Sequence, residues 1–157
     1  MPTTASAPPD VRPDDGAGIS DEESFQVHGR DSIIRDMTAQ EARAQDVVSA
    51  FHAALGRRDF DAARALLSDD LHFKGPFDEF HRADDYVGAI QRLWGVVDTI
   101  DVKHRSSTGD EVVVLYDMAT KTPAGTQLVC EWFGVEGGTI IWIRALFDTA
   151  PFAFLRR

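Results

Sequence analysis

The chain has 157 residues, the length of one ordinary domain, and its 43% hydrophobic and 10% aromatic content is enough for a packed core, which counts against wholesale disorder. Sixteen Lys+Arg against 26 Asp+Glu give a formal charge of −10, a surface that repels phosphate and so disfavours nucleic acid and anionic membrane as partners. The single cysteine, Cys130, excludes an intrachain disulfide and a cysteine-based metal cluster.

Residues 1–24 contain Pro2, Pro8, Pro9, Pro13 and the acidic run Asp21-Glu22-Glu23, with almost no large apolar side chain before Phe25. Such a segment cannot bury enough surface to offset its ordering entropy, so it reads as a disordered acidic tail. Through Asp36 the chain holds eight acids and three bases, half of the net negative charge, and the remaining body is only mildly acidic. Residues 25–37 read as a connecting segment in which Phe25, Ile33 and Ile34 could dock on the domain. The opening MPTTASAPPD has neither the basic start nor the apolar stretch of a signal peptide, and no apolar run approaches the roughly 20 residues that span a bilayer. A cytoplasmic location is the expectation.

Thr38 followed by Glu41 has the spacing of a capping box, and Ala44, Val47, Val48, Phe51, Ala54 and Leu55 then recur at intervals of three and four. These predict a helix over about 39–57. Asp59 can cap a short second helix over 60–67, with Phe60, Ala63, Leu66 and Leu67 on its inner face. Ser68-Asp69-Asp70 suggests a turn into a short strand, 71–74, which Gly75-Pro76 ends. A third helix is expected over 84–97, with Tyr86, Ile90, Leu93, Trp94 and Val97 along one face. From residue 99 the apolar period changes to alternation, and strands are expected over 99–106, 111–120, 126–135 and 139–148. Thr108-Gly109-Asp110, Thr122-Pro123-Ala124-Gly125 and Gly137-Gly138 supply the hairpin connections. The pattern is α+β, three helices covering one face of a curved antiparallel sheet.

FHAALGRRDFDAARALLSDDLHFKGP, the helix after HRADDY, the strand VVVLYDMATKTPAG and the hairpin CEWFGVEGGTIIWIRALFDTAPF, in that order, resemble the SnoaL-like (polyketide cyclase-like) branch of the nuclear transport factor 2-like superfamily. The resemblance spans 38–152, leaving 153–157 as a C-terminal tail. It implies a cone with an apolar pocket between helices and sheet, and a homodimer through the outer sheet face. It also implies a small apolar ligand and chemistry of the isomerase, cyclase or hydratase kind without a cofactor. The positions that carry acid and base in ketosteroid isomerases are Phe51 and Gly75 here. Those of the Arg-x-Asp and final aspartate of limonene-type epoxide hydrolases are Leu115, Asp117 and Ala145. Scytalone dehydratase-like chemistry would pair His72 with Asp117.

Asp117 is therefore the expected base: by the resemblance it points into the cone with Val113, Leu115 and Ala119, where desolvation would raise its pKa. His72 is its expected partner near neutral pH. Phe51, Leu55, Phe73, Tyr86, Ile90, Trp94, Leu115, Trp132, Ile143 and Ala145 are the expected pocket lining. A two-residue Gly137-Gly138 turn sets Glu131 opposite Arg144, an ion pair expected on the outer face with Phe133, Val135 and Trp142. His52, His81 and His104 read as surface residues. No two histidines and a carboxylate have ligand-like spacing on one element, so no metal is expected. Catalysis with Asp117 as base and ligand or partner binding without chemistry both remain open at this stage.

Overall fold

In the computed structural model, residues 21–156 are described, and their side chains over 29–155. The expected tail therefore lies outside the described residues over 1–20, whereas 21–24 are helical. The chain divides into Met1–Ile33 and Ile34–Arg157. In the first, everything from Asp21 onward is helix. That helix, α1, is Asp21–Gly56, far longer than the 39–57 expected. No proline interrupts it, and Asp31 and Arg35 stand four apart in the order that supports an exposed helix. Ile33, Ile34 and Met37 are exposed on it.

The capping box at Thr38 does not form. The Thr38 hydroxyl donates to the Ile34 carbonyl at 2.9 Å, the back-bonding of a mid-helix threonine. Glu41 instead accepts from the Gly109 backbone N–H at 3.1 Å, tying α1 to a sheet turn.

In Ile34–Arg157, α2 (Phe60–Ala65) starts at Asp59, whose carboxylate accepts from Ala62 N at 3.0 Å. Strand β1 (Leu67–Lys74) takes in the residues read as a turn, and a two-residue strand β2 (Glu79–Phe80) follows that the sequence did not signal. Helix α3 is Ala83–Trp94. Strands β3 (Val97–Thr108), β4 (Glu111–Thr120), β5 (Thr126–Glu136) and β6 (Thr139–Phe147) form the expected meander. A 3-10 helix, Ala150–Arg156, closes the chain where a tail was expected.

The six strands form one sheet in the order β2-β1-β6-β5-β4-β3. All neighbours are antiparallel except β1 and β6, which run parallel, so the sheet is mixed. Its inner face carries Val112, Val114, Phe133, Ile140 and Ile143, which bury with Val48 and Phe51 of α1, Leu71 of β1 and Tyr86 of α3. The Trp94 indole N–H donates to the Leu55 carbonyl at 2.8 Å. Arg58, in the left-handed region at φ 60°, reaches the Trp94 carbonyl at 2.6 Å. These two bonds satisfy helix-end carbonyls and lock α1 to α3.

One irregularity decides which residues face inward. Near the Gly137-Gly138 turn Glu136 pairs with Thr139 and Val135 with Ile140, the expected register. Beyond them the pairing shifts by one residue, with Gly134 opposite Trp142 and Glu131 opposite Ala145. The extra residue on β6 is Ile141, a bulge. Gly134 accommodates it: a Cβ there would overlap the Trp142 indole. The expected Glu131–Arg144 cross-strand pair is thereby corrected, because one residue of slip sends a side chain to the opposite face.

Candidate functional site

Helix α1 packs across the inner face of β4 and β5, which brings His52 against Glu131. His52 Nε2 and Glu131 Oε2 are 3.0 Å apart, and the two side chains are only 10% and 9% exposed. The His52 ring sits edge-on to Phe133 at 5.5 Å and to Tyr116 at 5.7 Å, with Phe51 beside it at 5.9 Å. Aromatic packing on three sides fixes the imidazole without further polar contacts. His52 Nδ1 and the Tyr86 hydroxyl are both buried without a hydrogen-bond partner. Such groups each cost about 1–3 kcal/mol, so their retention is informative.

His52 and Glu131 form the polar end of a cavity of about 70 Å³, otherwise walled by residues such as Leu55, Phe73, Ile90, Trp94, Val129 and Phe147. Tyr86, Tyr116, Met118 and Ala145 complete the wall near the pair. Burial pushes the Tyr86 and Tyr116 phenols well above their usual range, and the nearby Glu131 carboxylate adds to it. Both phenols are therefore protonated donors at any physiological pH. The arrangement is a carboxylate and an imidazole in contact, flanked by two neutral hydroxyls, in a largely apolar chamber. Such a set can accept a proton at one point and donate one at another.

The cavity adjoins a larger apolar vestibule of about 210 Å³, with which it shares Phe73, Tyr86, Ile90, Leu93, Met118 and Phe147. The β1–β2 connection (Gly75, Pro76, Phe77 and Asp78) forms one wall. Phe152 from the 3-10 helix packs on Phe77 at 5.8 Å and on Phe147 at 5.5 Å, giving the other.

Of the expected lining residues, Leu55, Phe73, Tyr86, Ile90, Trp94 and Ala145 line the cavity. Phe51 and Ile143 are buried in the core beside it. Four expectations are corrected in orientation. Asp117 and Leu115 point away from the cavity, because the inward residues of β4 are Val112, Val114, Tyr116 and Met118. Asp117 lies 3.3 Å from the Lys103 ammonium on the outer face, in solvent contact. Trp132 is likewise outward, 41% exposed, its indole N–H donating to Glu111 at 2.9 Å. His72 stands on the β1–β2 hairpin, hydrogen-bonded to Glu79 at 2.7 Å and far from any contact with Asp117.

Sequence reading missed His52, Glu131 and Tyr116. For His52 a signal existed: it follows Val48 by four and precedes Leu55 by three, so it flanks the apolar stripe. For Glu131 the signal was obscured by the bulge.

The sequence profile of the SnoaL-like domain family matches residues 48–143. The chain belongs to this family. No functionally curated protein matches it. Among solved structures it is similar to an epoxide hydrolase of the LEH-like kind from M. tuberculosis. The two are 27% identical with a TM-score of 0.63, over 74% of this chain and 92% of that one. A protein from Kribbella flavida matches at 24% identity and a TM-score of 0.66, covering 71% and 91%. An NTF2-like protein of unknown function from Cytophaga hutchinsonii matches at 23% and 0.64, covering 70% and 94%. The fold is NTF2-like.

Proposed function

We propose that the protein is a cofactor-independent acid–base enzyme acting on a small, largely apolar molecule that carries an oxygen function. The observation that carries this reading is the His52–Glu131 pair, 3.0 Å apart and almost fully buried at the end of an apolar cavity. A buried polar pair is a poor stabiliser compared with apolar residues of the same volume, so its presence favours a chemical role. Glu131, oriented by the His52 N–H, takes a proton from the substrate or from a water that adds to it. A neutral tyrosine hydroxyl, Tyr86 or Tyr116, donates to the oxygen on which charge develops. In isomerisation the proton taken by Glu131 returns to the product carbon. In hydration of an epoxide the water oxygen bonds to carbon as the ring C–O bond breaks, the alkoxide takes the tyrosine proton, and the proton on Glu131 restores the tyrosine, so no redox partner is needed. The likeness to an epoxide hydrolase supports testing hydration first.

The test is a panel of aliphatic 1,2-epoxides and β,γ-unsaturated ketones with wild type, Glu131→Gln, His52→Ala and Asp117→Asn. Turnover that falls about a hundredfold or more in the first two variants and stays unchanged in Asp117→Asn supports the reading. Loss in Asp117→Asn alone restores Asp117 as base. An apolar ligand that wild type and Glu131→Gln bind equally, with turnover by neither, makes the protein a non-catalytic binding module instead.

The outer sheet face, with Leu146 63% and Trp132 41% exposed beside Leu128, fits a second copy of the chain, and we assign it as a homodimer interface. Light scattering that gives a monomer at micromolar concentration refutes this. No helix among the described residues is long and apolar enough to cross a membrane. A cytoplasmic location is part of the proposal.

A further inference from the structure

Strand β2 makes a hairpin with β1 in which Phe73 pairs with Phe80 and Lys74 with Glu79. Continuing that register sets His81 opposite His72, with Glu79 on the same face. The two imidazoles stack at 4.7 Å, 18° from parallel. Glu79 Oε1 lies 2.7 Å from His72 Nε2 and 3.9 Å from His81 Nε2, so both rings turn the same nitrogen toward one carboxylate oxygen. One ligand atom from each residue falls within 4.8 Å of the others. Ligand atoms about 2.1 Å from a tetrahedral ion lie roughly 3.4 Å apart, so a small opening of one contact and closing of the other would fit an ion.

We infer that His72, Glu79 and His81 bind a divalent transition metal of the zinc type and that this ion staples the β1–β2 hairpin. Two imidazoles and a carboxylate are borderline-soft donors that suit zinc, with the fourth position left to water. The segment between the ligands includes Gly75, Pro76, Phe77 and Asp78, the wall of the vestibule, so the ion fixes the mouth of the cavity. Arg144 opposes the ion. Its guanidinium donates to His72 Nδ1 at 3.3 Å, which favours the proton on Nε2, the nitrogen that must be bare to ligate. Metal binding moves that proton to Nδ1 and displaces Arg144, so removing Arg144 tightens the site. The three ligands sit outside the cavity lining, and the inference stands apart from the proposed chemistry.

Isothermal titration of the full chain, without a histidine tag, with zinc chloride tests it. One zinc per chain is expected, with affinity falling about tenfold or more in His72→Ala and in His81→Ala and rising in Arg144→Gln. Melting temperatures of the variants without zinc report that each is folded. Amide exchange at Phe77–Phe80 should slow on adding zinc. Absence of binding up to millimolar zinc, or binding unchanged in both histidine variants, overturns the site. Zinc that binds without slowing exchange at Phe77–Phe80 refutes the staple.

Discussion

Removing one member of the His52–Glu131 pair should cost far more stability than removing both. In His52→Leu, Glu131 keeps its place at 9% exposure but loses the 3.0 Å partner. Breaking a buried pair from one side typically costs about 3–5 kcal/mol, since the remaining group cannot recover its hydration. In Glu131→Leu, the His52 ring would have neither nitrogen bonded, because Nδ1 already has no partner. Its cost is that of an unsatisfied neutral group plus the lost bond, about 2–3 kcal/mol. The double variant places two leucines among Phe51, Phe133 and Tyr116, where apolar replacement of a buried pair is often neutral or stabilising. The coupling between the sites is then about 4 kcal/mol or more, well above the scatter of independent sites. Urea unfolding of the four proteins, followed by tryptophan fluorescence, measures it. A His52→Leu cost below about 1 kcal/mol, or additive effects, would show that water reaches the pair and refute the burial argument.

Three further expectations follow from particular contacts. The chain has only two tyrosines, Tyr86 and Tyr116, both raised well above 10 by burial and by Glu131. Tyrosinate absorbance should therefore be missing from the native protein as pH passes about 10, where unfolded tyrosine ionises. Above that pH the unfolded state has released protons that the native state keeps, so stability falls by about 1.4 kcal/mol per pH unit for each tyrosine, and normal native titration would refute their burial. Gly134→Ala drives a Cβ into the Trp142 indole and should destabilise by about 1–3 kcal/mol, measured by chemical denaturation. Removal of residues 1–20, which hold few large apolar side chains, should shift Tm by no more than about 1–2 °C in a calorimetric scan.

The helices and the meander were legible because their apolar periods are unambiguous: three to four residues along α3, two along the strands. The face of each strand was not. In β4, Val112 to Tyr116 is apolar or aromatic on both sides of the pleat, so alternation does not say which side is the core. The resemblance chose Asp117 for the interior, and the neighbouring Tyr116 occupies it. On β6 the expected inward residues Ile143 and Ala145 are indeed buried. Carrying that parity across the hairpin to β5 failed because the count through Gly137-Gly138 has no term for Ile141. A carboxylate on an otherwise apolar strand then looked more natural facing solvent. The β1–β2 hairpin was hidden for another reason. Its second strand is two residues long, and Gly75-Pro76 marks a break without saying that the chain returns.

The bulge therefore does more than correct a register. An unbroken hairpin with Glu136 opposite Thr139 would set Glu131 against Arg144 on the face that buries Val129 and Phe133. With Ile141 inserted, Glu131 and Ala145 share the inner face, and the smallest side chain on that part of β6 stands across from the acid. The space left by the alanine methyl adjoins the cavity, and His52 closes the acid from the helix side. Deleting Ile141 would restore regular pairing and leave Glu131 opposite Ala145 on the inner face, whereas keeping Ile141 and removing the bulge would bring Arg144 opposite the acid. The acid owes its inward position to the regular alternation of β5, where Gln127, Val129, Glu131, Phe133 and Val135 are all buried, while the bulge sets Ala145 rather than Arg144 across from it and Gly134 lets that bulge pack.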